Sequence, residues 1–129
     1  DRVLPALGSA LGQDAVPALA RVAALAGEDQ EALQHRADEV LAAAILEAGR
    51  SSVALDVTRL VEQPSSVAKR VLRGAVELAG GPVPSASQAA ALLDLTRDEM
   101  NAAGASRSVV LPRGFTAWRN GPVLKVGLA

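Results

Sequence analysis

The chain has 129 residues, half of them hydrophobic, with 13 basic and 14 acidic side chains, a formal net charge of −1 and no cysteine. A chain of this length is read as one domain spanning 1–129, burying roughly two-thirds of its unfolded surface, with no disulfide or thiolate metal site. No apolar run nears the ~20 residues of a membrane span and no basic stretch leads into an apolar one, so neither anchor nor signal peptide is predicted and a cytoplasmic location is expected.

Charge is spread unevenly. Residues 1–50 hold four bases and eight acids, 51–100 hold five and six, and 101–129 hold four and none. That pattern excludes a generally cationic coat but allows a local basic surface able to meet phosphate. Asp1 in place of Met, inside a helical pattern, reads as the start of a piece of a longer protein.

In chain order, "RVLPALGSALG" predicts a short helix ended by Gly12. A longer helix opens at Asp14 as N-cap, with Pro17 tolerated in its first turn. Val16, Leu19, Val22, Ala26, Leu33, Ala37, Val40 and Ala44 form one apolar stripe, Gly27 offers a place for a bend, and Gly49 is the expected stop. "SVALDV" alternates as a short strand, and "TRLVEQ" is a short helix stopped before Pro64. "SSVAKRVLRGAVELAGG" is the clearest helix: Val67, Val71, Leu72, Ala75, Leu78 and Ala79 fall on one side, Lys69, Arg70, Arg73 and Glu77 on the other. Ser85 with Gln88 forms a capping box for a helix running past Met100 to Gly104.

The closing segment predicts β structure. "SVVL" and "FTAWR" flank Pro112–Gly114, and Asn120–Gly121 suits a two-residue type I′ turn. That turn would set Trp118 opposite Val123, Ala117 opposite Leu124, Thr116 opposite Lys125 and Phe115 opposite Val126. Phe115, Ala117, Leu124 and Val126 then share the core face, with Trp118, Thr116, Val123 and Lys125 on the other. The fold class predicted is α+β: about five helices, one short strand near Ala54–Val57, and a C-terminal hairpin or three-stranded meander.

The sequence offers little catalytic chemistry. His35, the single histidine, sits in "EALQHRADE" and reads as a solvated helix residue. The acid pairs Glu28–Asp29, Asp38–Glu39 and Asp98–Glu99 point about 100° apart on a helix and converge on nothing. "AGGPVPS" is a helix stop and no phosphate cradle, because Pro82 and Pro84 remove amide donors. Two basic groups remain. Lys69, Arg70 and Arg73 are either a solvated helix face, with Arg73 and Glu77 as an i,i+4 pair, or a phosphate-binding one. Arg113, Arg119 and Lys125 either protect strand edges or extend that surface. Trp118 beside Lys125 is placed either to stack an unpaired base or to lie under a helix.

Taken in order, these motifs resemble those of bacterial tRNA(Ile)-lysidine synthetases. "RVLPAL" (Arg2–Leu7) is similar to their Arg-x-x-x-Pro-Leu-Leu entry helix after the catalytic domain, and "LARVAALAGEDQEAL" to the long helix that follows. "ALDVTRLVEQPSSVAKRVLRGAVELAGG" resembles their strand, short helix and Arg-rich helix, and "VVLPRGFTAWRNGPVLKV" their closing strands. The resemblance implies an enzyme that uses ATP and Mg to adenylylate the wobble cytidine of a CAU-anticodon isoleucine tRNA, on which lysine then displaces AMP. The Ser-Gly-Gly-x-Asp-Ser nucleotide loop of that family's catalytic domain does not occur in this sequence. The chain is therefore expected to be the substrate-recognition part, non-catalytic by itself, with tRNA and the enzyme's own N-terminal catalytic domain as partners and no cofactor of its own. The tRNA-contact candidates are Lys69, Arg70, Arg73, Arg113, Trp118, Arg119 and Lys125, joined in one continuous surface. Trp118 departs from the basic residue frequent at its position in the family. The competing expectation is a helical protein-interaction module without RNA binding.

Overall fold

A computed structural model describes residues 15–98 and 106–128. The predicted helix over 2–12 lies outside these residues, as do 99–105; the helix predicted to run past Met100 to Gly104 stops at Arg97, where Asp98 turns extended at φ −74 and ψ 109. The chain divides into two compact units, 1–33 and 34–129. Helix α1 covers Ala15–Ala44 and is helical through Gly27. In the first unit the described part is the leading half of α1, whose Val22 and Leu25 are exposed.

The second unit contains β1 (Ile45–Ala48), β2 (Ser52–Asp56), α2 (Val57–Val61), α3 (Ser65–Leu78), α4 (Ala86–Arg97), β3 (Ser106–Val110), β4 (Phe115–Asn120) and β5 (Val123–Leu128). The strands form one antiparallel sheet in the order β1-β2-β5-β4-β3. The α+β class therefore holds, with five strands in place of the predicted three or four. The extra one is β1. The helical stripe was expected to run to Gly49, yet Ile45–Ala48 leaves the helix and pairs with β2, closed by Gly49 N–H donating to the Ser52 carbonyl at 2.8 Å. Ladder hydrogen bonds and a β-branched Ile45 outweigh the helical preference of Leu46, Glu47 and Ala48. Leu46 is bulged out of register, a common device on an edge strand.

Local signals start the helices. Asp56 caps α2, its Oδ1 accepting from Thr58 N at 3.0 Å and Thr58 Oγ1 at 2.6 Å. The Ser85–Gln88 capping box opens α4, with Ser85 N donating to Gln88 Oε1 and Gln88 N to Ser85 Oγ. Pro64 precedes α3, which buries Val67, Ala68, Val71, Leu72, Ala75 and Val76. Gly74 lets α1 come close to α3: a Cβ there would stand 3.0 Å from Leu41 Cδ2.

The core lies between α3, α4 and one face of the sheet. Leu55, Leu60, Leu72, Leu92, Leu95 and Leu124 are fully buried, as are Val53, Val71, Val76 and Val126. Phe115 and Ala117 of β4 join them, as the alternation predicted. The hairpin register is shifted. Asn120 pairs with Val123, Trp118 with Lys125, Ala117 with Val126 and Phe115 with Leu128. The expected Asn120–Gly121 turn would need a closing N–H from residue 122, which is proline and has none. The tip is instead Gly121–Pro122, with Gly121 at φ 60. A positive φ at the first central residue followed by proline suits type II′. Because the shift moves each partner by two residues, the faces are unchanged.

Candidate nucleic-acid interface

The basic residues of "SSVAKRVLRGAVELAGG" share the side of α3 opposite its buried stripe. Arg73 is exposed, while Lys69 and Arg70 are partly exposed. Arg70 Nη1 donates to Gln34 Oε1 at 3.3 Å, and Gln34 Nε2 donates onward to Asp38 Oδ1 at 2.9 Å. Among the described residues Arg107 pairs with Asp98 and His35 Nε2 stands 3.6 Å from Glu39 Oε1, while the expected Arg73–Glu77 pair does not form. His35 is exposed, as its neighbours suggested. No group of three metal-ligating side chains occurs among the described residues.

The four bases of the acid-free segment have separate fates. Arg107 pairs with Asp98. Arg113 is exposed on the 3₁₀ turn Pro112–Gly114 with φ 60, a left-handed conformation uncommon for a residue with a side chain. Lys125 and Trp118 are cross-strand neighbours on the sheet face away from the helices, with Lys125 Nζ 5.8 Å from the indole centroid.

Arg119 is the exception. It was expected on a tRNA-facing surface, but it is only 5% exposed. It shares the parity of Phe115 and Ala117 along β4 and so points to the helical side of the sheet. Its Nη1 lies 3.1, 2.6 and 3.0 Å from the carbonyls of Leu95, Thr96 and Asp98, and its Nε donates to Gly121 O at 2.8 Å. A guanidinium thus satisfies the orphan carbonyls at the C-terminus of α4, where the helix dipole also favours a cation. This takes Arg119 out of the set able to reach a phosphate. Its role was hidden in the sequence because the acceptors lie more than 20 positions away. The parity of β4 alone held the clue.

Arg97 performs a similar service nearby. Its Nη1 and Nη2 donate to Ser65 Oγ and Gln63 O, clipping the end of α4 to the start of α3. A cavity of about 460 Å³ opens beside these groups, lined among others by Val57, Val61, Thr96, Arg119 and Pro122. A smaller hollow, about 150 Å³, brings Arg36 and Arg59 beside Glu39 and Glu62. Two bases against two acids leave it balanced, unlike a phosphate cradle.

These placements also divide the predicted surface. The α3 stripe faces the sheet, so Lys69, Arg70 and Arg73 look away from it, whereas Trp118 and Lys125 occupy the opposite sheet face. The two groups form separate patches with the core between them.

Helices layered on one face of an open antiparallel sheet, with cations on both outer sides, define an α+β domain. Residues 55–121 match the family described as the TilS substrate binding domain. That span runs from β2 to the tip of the β4–β5 hairpin and exceeds half of the chain, and the chain belongs to this family. The match agrees with the resemblance to tRNA(Ile)-lysidine synthetases; the quoted motifs before residue 55 lie outside it. No curated protein matches the chain.

Proposed function

We propose that this chain is the tRNA-recognition domain of a tRNA(Ile)-lysidine synthetase. It would hold the CAU-anticodon isoleucine tRNA while the enzyme's catalytic domain, using ATP and Mg in the cytoplasm, activates the wobble cytidine and joins lysine to it. The observation that carries this reading is the family match across 55–121, which includes the three bases of α3 and Arg113. Phosphate contacts from such a face fix the register and orientation of an RNA, and sequence is read elsewhere. No described helix is long and apolar enough to cross a membrane.

The test is tRNA affinity as a function of salt. With about three phosphates contacted, log K should fall with log salt at a slope of roughly −2 to −3. Lys69→Ala or Arg73→Ala should weaken binding and reduce that slope by about one unit. Weak, salt-insensitive binding that these variants leave unchanged would favour a protein-interaction module instead.

A further inference from the structure

The outer face of the sheet carries an arrangement that phosphate contacts on α3 do not use. Trp118 is the chain's single tryptophan and is only partly covered. Its cross-strand neighbour on β3 is Ser108 and that on β5 is Lys125, beyond which Ala54 of β2 follows. Val110, Thr116 and Gly127 form the next row, with Val110 exposed on β3. The indole's direct cross-strand neighbours are one small side chain and one cation, which leaves room for a planar group beside it. Lys125 is in no ion pair among the described residues, and its ammonium stands over the Trp118 ring. Two acids share this face: Asp56 is engaged in capping α2, and Glu47 stands on the edge strand β1, beyond Ala54 from Lys125.

An open sheet face of this kind needs an occupant whose chemistry matches both groups. A protein segment would find apolar surface only in pieces, Val110 at the β3 edge and Val123 near the hairpin tip, with Ser108, Thr116, Ser52 and Lys125 between them. A duplex would present phosphate to Lys125 but no free base to the indole. An unpaired nucleotide presents both a π-face and a phosphate. Base–aromatic stacking is tolerant of sequence and is the usual way sheet surfaces hold single-stranded RNA.

We propose that Trp118 and Lys125 form a stacking platform for one unpaired nucleotide, the base against the indole and its phosphate on the Lys125 ammonium. The platform rests on the RNA-binding reading above, but it lies on the opposite side of the core from the α3 bases. A bound RNA would thus meet the domain at two places: a duplex backbone on α3 and a single-stranded segment on the sheet.

Because there is one tryptophan, its fluorescence reports on this site directly. The chain is titrated with a short single-stranded oligoadenylate carrying a distant label, following label anisotropy and Trp118 emission together. An abasic ribose-phosphate oligomer of the same length is the control. The expected result is saturable quenching by the oligoadenylate and none by the abasic oligomer, although the latter binds weakly through charge. Trp118→Ala should lower oligoadenylate affinity about tenfold, the factor for one lost stacking contact, with Trp118→Phe in between. Lys125→Gln should reduce the salt slope by about one unit while leaving maximal quenching unchanged. Oligoadenylate binding without quenching, equal quenching by the abasic oligomer, or no oligoadenylate binding at all would each overturn the platform. Full-length tRNA separates the two ideas. Salt-dependent tRNA binding lost in Arg73→Ala but silent at Trp118 would overturn the platform and leave the recognition reading standing.

Discussion

Replacing Arg119 by alanine distinguishes a surface contact from an internal clip. The guanidinium donates to the carbonyls of Leu95, Thr96, Asp98 and Gly121. Hydrogen bonds to a charged group contribute about 1.5–3 kcal/mol each, but those of one side chain are not additive. The neighbouring cavity of about 460 Å³ admits water to some of the abandoned carbonyls, which lowers the loss further. A net cost of about 3–4 kcal/mol follows. In a unit the size of residues 34–129, each kcal/mol moves the melting temperature by about 4–8 °C, so Arg119→Ala should melt at least about 12 °C lower. Arg119→Lys keeps the charge and loses the fork, and should fall between. The assay is thermal unfolding followed by far-UV CD. A melting point within about 2 °C of the parent, accompanied by weaker tRNA binding, would refute the reasoning and return Arg119 to the surface.

Other expectations are simpler. Phe115→Ala removes a core ring that is 7% exposed and should lower stability by about 3–5 kcal/mol in urea unfolding. Arg113→Gly relieves the positive φ and should raise stability by about 1 kcal/mol while weakening tRNA binding several-fold at low salt; a loss of stability would show the φ of 60 to be unstrained. Incubated with ATP, lysine and CAU-anticodon tRNA, the chain alone should release no AMP, and AMP release by purified protein would contradict its reading as a recognition domain.

The sequence made the helices and both faces of the hairpin legible, because these follow from periodicity and capping within one segment. Val67 to Val76 and the Ser85–Gln88 box are local signals, and the structure keeps them. What escaped depended on distant partners. Ile45–Ala48 carries no strong strand signal and becomes a strand by pairing with β2. The hairpin tip moved by one residue because a missing proline N–H outweighs the Asn-Gly preference. Charge was the least legible feature. Four bases without acids suggested one exposed surface, yet Arg107 meets Asp98 and Arg119 enters the interior to cap a helix. Composition counts cations but does not show which way each strand residue faces.

The strand order carries a consequence for synthesis. β5, the last of the five strands to leave the ribosome, is the central one, and it joins β1-β2 to β4-β3. Until Val123–Leu128 emerges, the nascent chain holds two separate two-stranded pieces, each marginal alone. The inner edge of β2, with Val53 and Leu55, waits unpaired through the making of some 70 further residues, a window in which edge-to-edge association competes with folding. A ribosome that stalls or a message cut short within β5 would therefore yield a protein split through its middle, a natural substrate for proteolysis.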